Sequence, residues 1–201
     1  MSGKPVDIGH TVRRGIIHFR NTGKTEVEIS EHDAGNGACM RSLPIALYYW
    51  NKPLATMLRA SKVQSHITHN NPVADAGTHT VLSMLACALG GGSKQQMRYL
   101  ADKLVDREKS FQFDKKEVTN PSGWIVETLQ VVFQSFFEHE TLEDILVDTV
   151  NRGGDADTTG AIAGMLAGAY YGKQAIPESW LNALDDDVRK ACEKQALALI
   201  Y

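Results

Sequence analysis

Apolar positions recur at helical rather than strand spacing over most of the chain. Between Val73 and Leu89 (VADAGTHTVLSMLACAL) they return every three or four residues, and Gly90-Gly91-Gly92 ends the run. Ser93 stands where a cap belongs, ahead of a second amphipathic stretch, KQQMRYLADKLVD. Trp124 to Phe137 (WIVETLQVVFQSFF) is apolar around most of a helical circumference and predicts a buried helix, with Trp124 as part of its core face. Thr141 is placed to cap LEDILVDTVNR, whose acidic residues lie at the favourable end. Ser42 to Trp50 (SLPIALYYW) is a shorter run with Pro44 early, where a helix tolerates it. A last helix is predicted from Pro177 and Trp180 towards Ile200.

Alternation is sparse. Glu26 to Ser30 (EVEIS) and Phe111-Gln112-Phe113 alternate, and neither has a hairpin partner. The pattern predicts an all-α fold, a single domain over residues 1–201 without a fixed-period repeat or low-complexity linker.

Composition narrows the function classes. With 43% hydrophobic and 22% charged residues the chain reads as globular. A formal net charge of −3 gives no electrostatic basis for nucleic-acid binding, which needs a basic face. The longest apolar candidate, Ala161 to Tyr171, is Gly-rich and far short of the roughly 20 residues of a membrane span. The opening MSGKPVDIGHTVRRG lacks the apolar centre of a secretory signal. Cys39, Cys87 and Cys192 are distant, odd in number and without C-x-x-C spacing. They predict neither a disulfide framework nor a zinc knuckle, and fit a reducing, cytoplasmic setting.

Candidate chemistry is concentrated in Gly153-Gly154-Asp155-Ala156-Asp157-Thr158-Thr159-Gly160. A helix cap needs one acidic or hydroxyl residue at such a position. Two carboxylates and a hydroxyl within four positions suit a hard cation such as Mg²⁺, Mn²⁺ or Ca²⁺. An EF-hand loop is excluded, because its last ligand position falls on Leu166 and the segment after Gly160 is apolar. Gly160, Gly164 and Gly168 then leave one helix face almost bare, so a neighbouring helix can approach closely and hold the acidic turn in place.

Three other stretches stand out less on their own. Asp33-Ala34-Gly35-Asn36-Gly37-Ala38-Cys39-Met40-Arg41 is either a glycine turn before a helix or an anion-binding loop to which Arg41 adds charge. Cys39, at that helix start, is a buried filler or a nucleophile, with no base nearby in sequence. His66 and His69 are spaced to share a helical face, but Pro72 ends such a helix, so a zinc pair is disfavoured and a ligand-facing His69 stays open. Asp7, near Arg13 and Arg14, would pass as a solvated surface carboxylate.

Taken in order, PVDIGHTVRRGI (Pro5 to Ile16), DAGNGACMRSLPIAL (Asp33 to Leu47), HITHNNPVADA (His66 to Ala76) and VNRGGDADTTGAIAGMLAGAYYG (Val150 to Gly172) resemble the ADP-ribosylglycohydrolase family. The resemblance implies an all-α fold with two divalent cations, Mn²⁺ or Mg²⁺. It also implies hydrolysis of the N-glycosidic bond between ADP-ribose and an arginine of a modified protein, with dinitrogenase reductase the expected substrate. It carries Asp155, Asp157 and Thr158 onto metal-ligand positions. Asp7 matches a catalytic carboxylate that engages the guanidinium or the water. Gly35, Asn36 and Gly37 match the loop for diphosphate and ribose, His69 a ligand-contacting histidine, and Trp124 an aromatic that stacks on adenine. The family's upstream G-D-x-x-G and T-D-D-T motifs have no counterpart here. The chain is thus expected to be an N-terminally truncated domain that corresponds to the C-terminal two-thirds of the family fold. Two alternatives follow: an inactive ADP-ribose-binding fragment lacking half of the metal site, or a family hydrolase for another ADP-ribosyl linkage.

Overall fold

A computed structural model describes residues 8–31 and 34–200. The described residues are 71% helical and form no sheet, as the apolar periodicity predicts. In order the helices are α1 (His10–Thr22), α2 (Gly37–Met40), α3 (Leu43–Tyr49), α4 (Leu54–Ser65), α5 (Pro72–Leu89), α6 (Lys94–Arg107), α7 (Ile125–Glu138), α8 (Leu142–Asn151), α9 (Ala156–Tyr171), α10 (Glu178–Ala183) and α11 (Asp186–Ile200).

Local chemistry starts most of these helices. The Asn71 side chain accepts from the N–H groups of Val73 and Ala74, and Pro72 occupies the first turn of α5. Ser93 and Gln96 form a reciprocal capping box on α6, and the Thr141 hydroxyl caps α8 through Asp144 N–H. The predicted last helix is two helices. They break at Leu184 because Asp185 accepts from Asp187 N–H and Val188 N–H and starts α11 afresh.

The core lies where α5, α7 and α9 meet. Val81, Leu82 and Leu85 pack with Leu129, Val132, Phe133 and Phe136, and with Ile162, Ala163 and Leu166, all fully buried. Burial of this size is the main favourable term in folding, at about 25 cal/mol per Å² of apolar surface. The small-residue face of α9 receives α8: a Cβ at Gly160 would lie 3.1 Å from Val150 and one at Gly164 3.7 Å from Leu146. The α9 helix is thereby surrounded by α2, α5, α7 and α8, and its N-terminus is fixed by the core.

The alternating stretch around Val27 forms no strand. It runs extended along the α4–α5 loop, where Val27 N–H and Ser30 N–H donate to the carbonyls of His66 and Asn70. Asn70 and Asn71 return their side-chain amides to the carbonyls of Val27 and Ser30. The described residues contain one isolated bridge, antiparallel, between Gly35 and Trp124.

Candidate active site

Three segments distant in sequence converge at the start of α9. The first is the turn into the helix. Gly153 and Gly154 take φ of +76° and +63°, left-handed values that favour glycine. A Cβ on Gly154 would fall 2.2 Å from the Pro121 carbonyl oxygen, so the 120–123 segment lies directly on the turn. Two backbone bonds clamp it there, Asn120 N–H to Arg152 O (2.7 Å) and Asp155 N–H to Pro121 O (2.8 Å).

The second segment is the glycine loop. Asn36 N–H donates to Gly123 O and Ile125 N–H to Ala34 O, both 2.9 Å, around the Gly35–Trp124 bridge. The Asn36 side chain is buried. Its Nδ2 donates to Thr128 Oγ1 (2.9 Å) and to Asp155 Oδ2 (2.7 Å). Asp155 stands at the N-cap position of α9 yet makes no side-chain cap bond; its carboxylate turns to Asn36 instead. A simple cap does not account for that residue.

Asp157 is exposed. Its carboxyl is held below the ordinary carboxylate range, first by Thr158 N–H and then by contact with the Asp155 carboxyl. Two carboxyl groups in such contact repel unless a proton or a cation lies between them. With the Thr158 hydroxyl one residue on, the donor set is all oxygen, as Mg²⁺ and Mn²⁺ prefer. These residues fit a hard cation as a partial set of ligands. Among the described residues no group of three or more His, Cys, Asp or Glu is arranged to hold a metal. A groove of about 590 Å³ with apolar walls from Leu146, Val147, Val150 and Trp180 opens beside Asp157.

The third segment carries His69, only 4% exposed. The glycine loop is wrapped over its ring: a Cβ on Gly37 would lie 2.9 Å from Cε1 and one on Gly35 3.2 Å from Nε2. Nδ1 is 2.7 Å from Thr68 Oγ1. Burial, and then the charges of Arg41 and Arg14, hold the imidazole pKa down to about 4. His66 faces elsewhere, with Nδ1 3.1 Å from Glu26 and Nε2 2.9 Å from Asp75. The two histidines do not share a face, because α4 ends at Ser65 and the chain turns between them.

Other expectations need revision. Trp124 is not a core residue. It precedes α7 and is 44% exposed, at the rim where Gly35 pairs with it. Arg41 does not face an open anion site; its guanidinium is taken up by Gln64 and Thr68. Burial pushes the Cys39 thiol up to about 12, which removes it as a nucleophile at neutral pH. Asp7 and Asp33 lie outside the described residues.

Several participants went unremarked in the sequence. Thr128, Thr68, Gln64 and the Asn120–Gly123 strap all act through long-range contacts. The Asn-Pro-Ser-Gly run signals a turn but not what the turn covers.

The fold and site define an all-α protein whose acidic helix start is braced by a glycine loop and a buried histidine. The chain belongs to the ADP-ribosylglycohydrolase family, whose model matches residues 1–200. It is 42% identical over 200 residues to the ADP-ribosyl-[dinitrogen reductase] glycohydrolase of Rhodospirillum rubrum, covering all of this chain and 67% of that protein. It is 27% identical over 190 residues to the ADP-ribosylarginine hydrolase Tri1 of Serratia proteamaculans, covering 91% of this chain and 52% of that one. A solved structure described as an ADP-ribosylglycohydrolase-related protein complex superimposes with a TM-score of 0.85 at 33% identity. That match covers 96% of this chain and 68% of the other. The chain thus spans between half and about two thirds of the length of these three proteins. No helix among the described residues is long and apolar enough to cross a membrane.

Proposed function

We propose that this protein is a metal-dependent hydrolase that removes ADP-ribose from an arginine side chain of a modified protein. Dinitrogenase reductase is the candidate substrate, after the name of the Rhodospirillum rubrum relative. The observation that carries the reading is the convergence on one site of Asn36, His69, Trp124 and Asp155, from segments up to 119 positions apart.

In this reading Asp155, Asp157 and Thr158 hold the divalent cations, Mn²⁺ or Mg²⁺. When bound, the cations supply Lewis-acid charge and lower the pKa of a coordinated water. Water adds to the anomeric carbon of the ribose, the C–N bond breaks, and arginine leaves with the proton that water gives up. Asn36 orients the Asp155 carboxylate by a hydrogen bond from its Nδ2. Trp124, exposed at the rim, offers a ring face for adenine. The Gly35–Gly37 loop offers its backbone to the diphosphate, and its glycines keep side chains off the His69 ring. Asp7 meets the guanidinium or the water.

A second reading is binding of ADP-ribose without hydrolysis, because among the described residues no group of three or more His, Cys, Asp or Glu is arranged to hold a metal. The two separate in one assay. The 201-residue chain is incubated with Mn²⁺ and a protein ADP-ribosylated on arginine, and free ADP-ribose is measured. Release that Asp155→Asn abolishes supports the hydrolase. ADP-ribose binding by calorimetry without release supports the binding module. Release from a serine-linked but not an arginine-linked substrate assigns another linkage.

A further inference from the structure

Arg41, Thr68 and His69 form a chain of hydrogen bonds beneath the glycine loop, and its polarity can be read from donor counts alone. The guanidinium of Arg41 has no acceptor. Its Nη2 donates to Thr68 Oγ1 at 2.8 Å, and it is held in place by Nε to Gln64 Oε1 (2.8 Å) and Nη2 to Gln64 O (3.2 Å). Gln64 is tied down in turn, its Nε2 donating to the Ala38 carbonyl and to Ser65 Oγ, both 3.1 Å.

The Thr68 hydroxyl therefore accepts one hydrogen bond and keeps one proton to donate. His69 Nδ1, 2.7 Å away, is the other group in contact with that oxygen. If Nδ1 carried the ring proton, it would donate to Thr68, and the Thr68 hydroxyl proton would be left without an acceptor. Thr68 is 5% exposed, so water is not a ready substitute. An unsatisfied buried donor costs about 1–3 kcal/mol. The alternative has no such penalty: Thr68 donates to Nδ1, and the proton of the neutral ring sits on Nε2.

We infer that Arg41 and Thr68 are positioning residues that fix His69 as a neutral Nε2–H donor, aimed at the Gly35–Gly37 loop to hold an oxygen acceptor of the ligand. Among the described residues no hydrogen bond is formed at Nε2, and a side chain at Gly35 or Gly37 would press on that edge of the ring. Held in this form, His69 is neither a general base nor a metal ligand through Nε2, since both roles need a free lone pair there. The low imidazole pKa agrees, because a neutral donor persists across the ordinary working pH range. A ligand acceptor of this kind is a phosphate or hydroxyl oxygen. The assignment of the loop as an ADP-ribose site rests on the function proposed above, whereas the tautomer does not.

Long-range ¹H–¹⁵N correlation spectra of the histidine rings at neutral pH test the tautomer directly, with His69→Gln identifying the signal. The wild-type chain is expected to show His69 with a protonated Nε2 and an unprotonated Nδ1. A protonated Nδ1 would overturn the inference whatever the enzyme does. Thr68→Ser keeps the hydroxyl and should keep the signature. Thr68→Val and Arg41→Met should replace it with an exchanging mixture of tautomers and weaken ADP-ribose binding by about tenfold or more, as loss of one buried hydrogen bond predicts. Unchanged tautomer and affinity in a folded Thr68→Val protein would likewise refute the role of Thr68. An intact Nε2–H signature with no ADP-ribose affinity in any variant would uphold the relay and reject the ligand assignment of the loop.

Discussion

Asn36 Nδ2 lies 2.7 Å from Asp155 Oδ2, joining two residues 119 positions apart at the base of the acidic turn. The same nitrogen donates to Thr128 Oγ1, so one buried amide links the glycine loop, α7 and the start of α9. Asn36→Ala removes both bonds and leaves a carboxylate and a hydroxyl without their donor. Urea denaturation should show a loss of about 1–3 kcal/mol. Mn²⁺ affinity, followed by electron paramagnetic resonance, should fall about 10–100-fold, the usual effect of removing a partner that orients a ligand. An unchanged affinity would show that Asp155 needs no such support.

Asp157 differs from Asp155 in being exposed, with its backbone in the first turn of α9. Asp157→Asn keeps the shape and removes the charge. Thermal unfolding is expected to stay within about 0.5 kcal/mol of wild type, as for most surface changes. Mn²⁺ binding is expected to weaken by more than about 100-fold, because a ligand loss exceeds an outer-sphere loss of about 10–100-fold. Equal Mn²⁺ affinity in wild type and variant would remove Asp157 from the metal set.

Glycine positions separate space from conformation. Gly168 lies inside α9 with nothing within 4 Å of its would-be Cβ, so Gly168→Ala should stabilise by about 0.5–1 kcal/mol. Gly37→Ala would instead press a methyl against the buried His69 ring, 2.9 Å from Cε1. Overpacking of that kind costs about 1–3 kcal/mol. ADP-ribose affinity should fall with it, measured by calorimetry. A stabilised Gly37→Ala protein would mean that His69 moves freely.

His69 also predicts a pH dependence. Its imidazole is depressed to about 4 in the folded chain, from an ordinary value near 6.5. Between those values the unfolded chain binds the proton and the folded one does not, so stability falls as pH is lowered from about 6.5 to about 4. Urea titrations across that window should give a smaller slope for His69→Gln than for wild type. Identical slopes would show that His69 is not buried as a neutral ring.

The helical plan was legible because its signals are local. Asn71, Ser93 and Thr141 cap within three residues of themselves, and the apolar repeat of α5 and α7 is carried by neighbouring turns. The break at Asp185 was equally local but hidden in the run Asp185-Asp186-Asp187, where any of the three could cap. Trp124 was misplaced for a physical reason: its helix begins one residue later, at Ile125, so the buried face of α7 does not include it.

By itself the sequence determined the all-α class, most helix starts and the acidic, hydroxyl-bearing turn at Asp155, Asp157 and Thr158, because each is encoded by residue types a few positions apart. The tertiary structure decided the rest. It turned Asp155 from a cap into the partner of Asn36, separated His69 from His66, and laid the Asn120–Gly123 strap across the Gly154 turn. It also showed Arg41 facing Thr68 rather than an open anion site. These are side-chain contacts between segments that only the packing of α5, α7 and α9 brings together, and no local period or spacing records them.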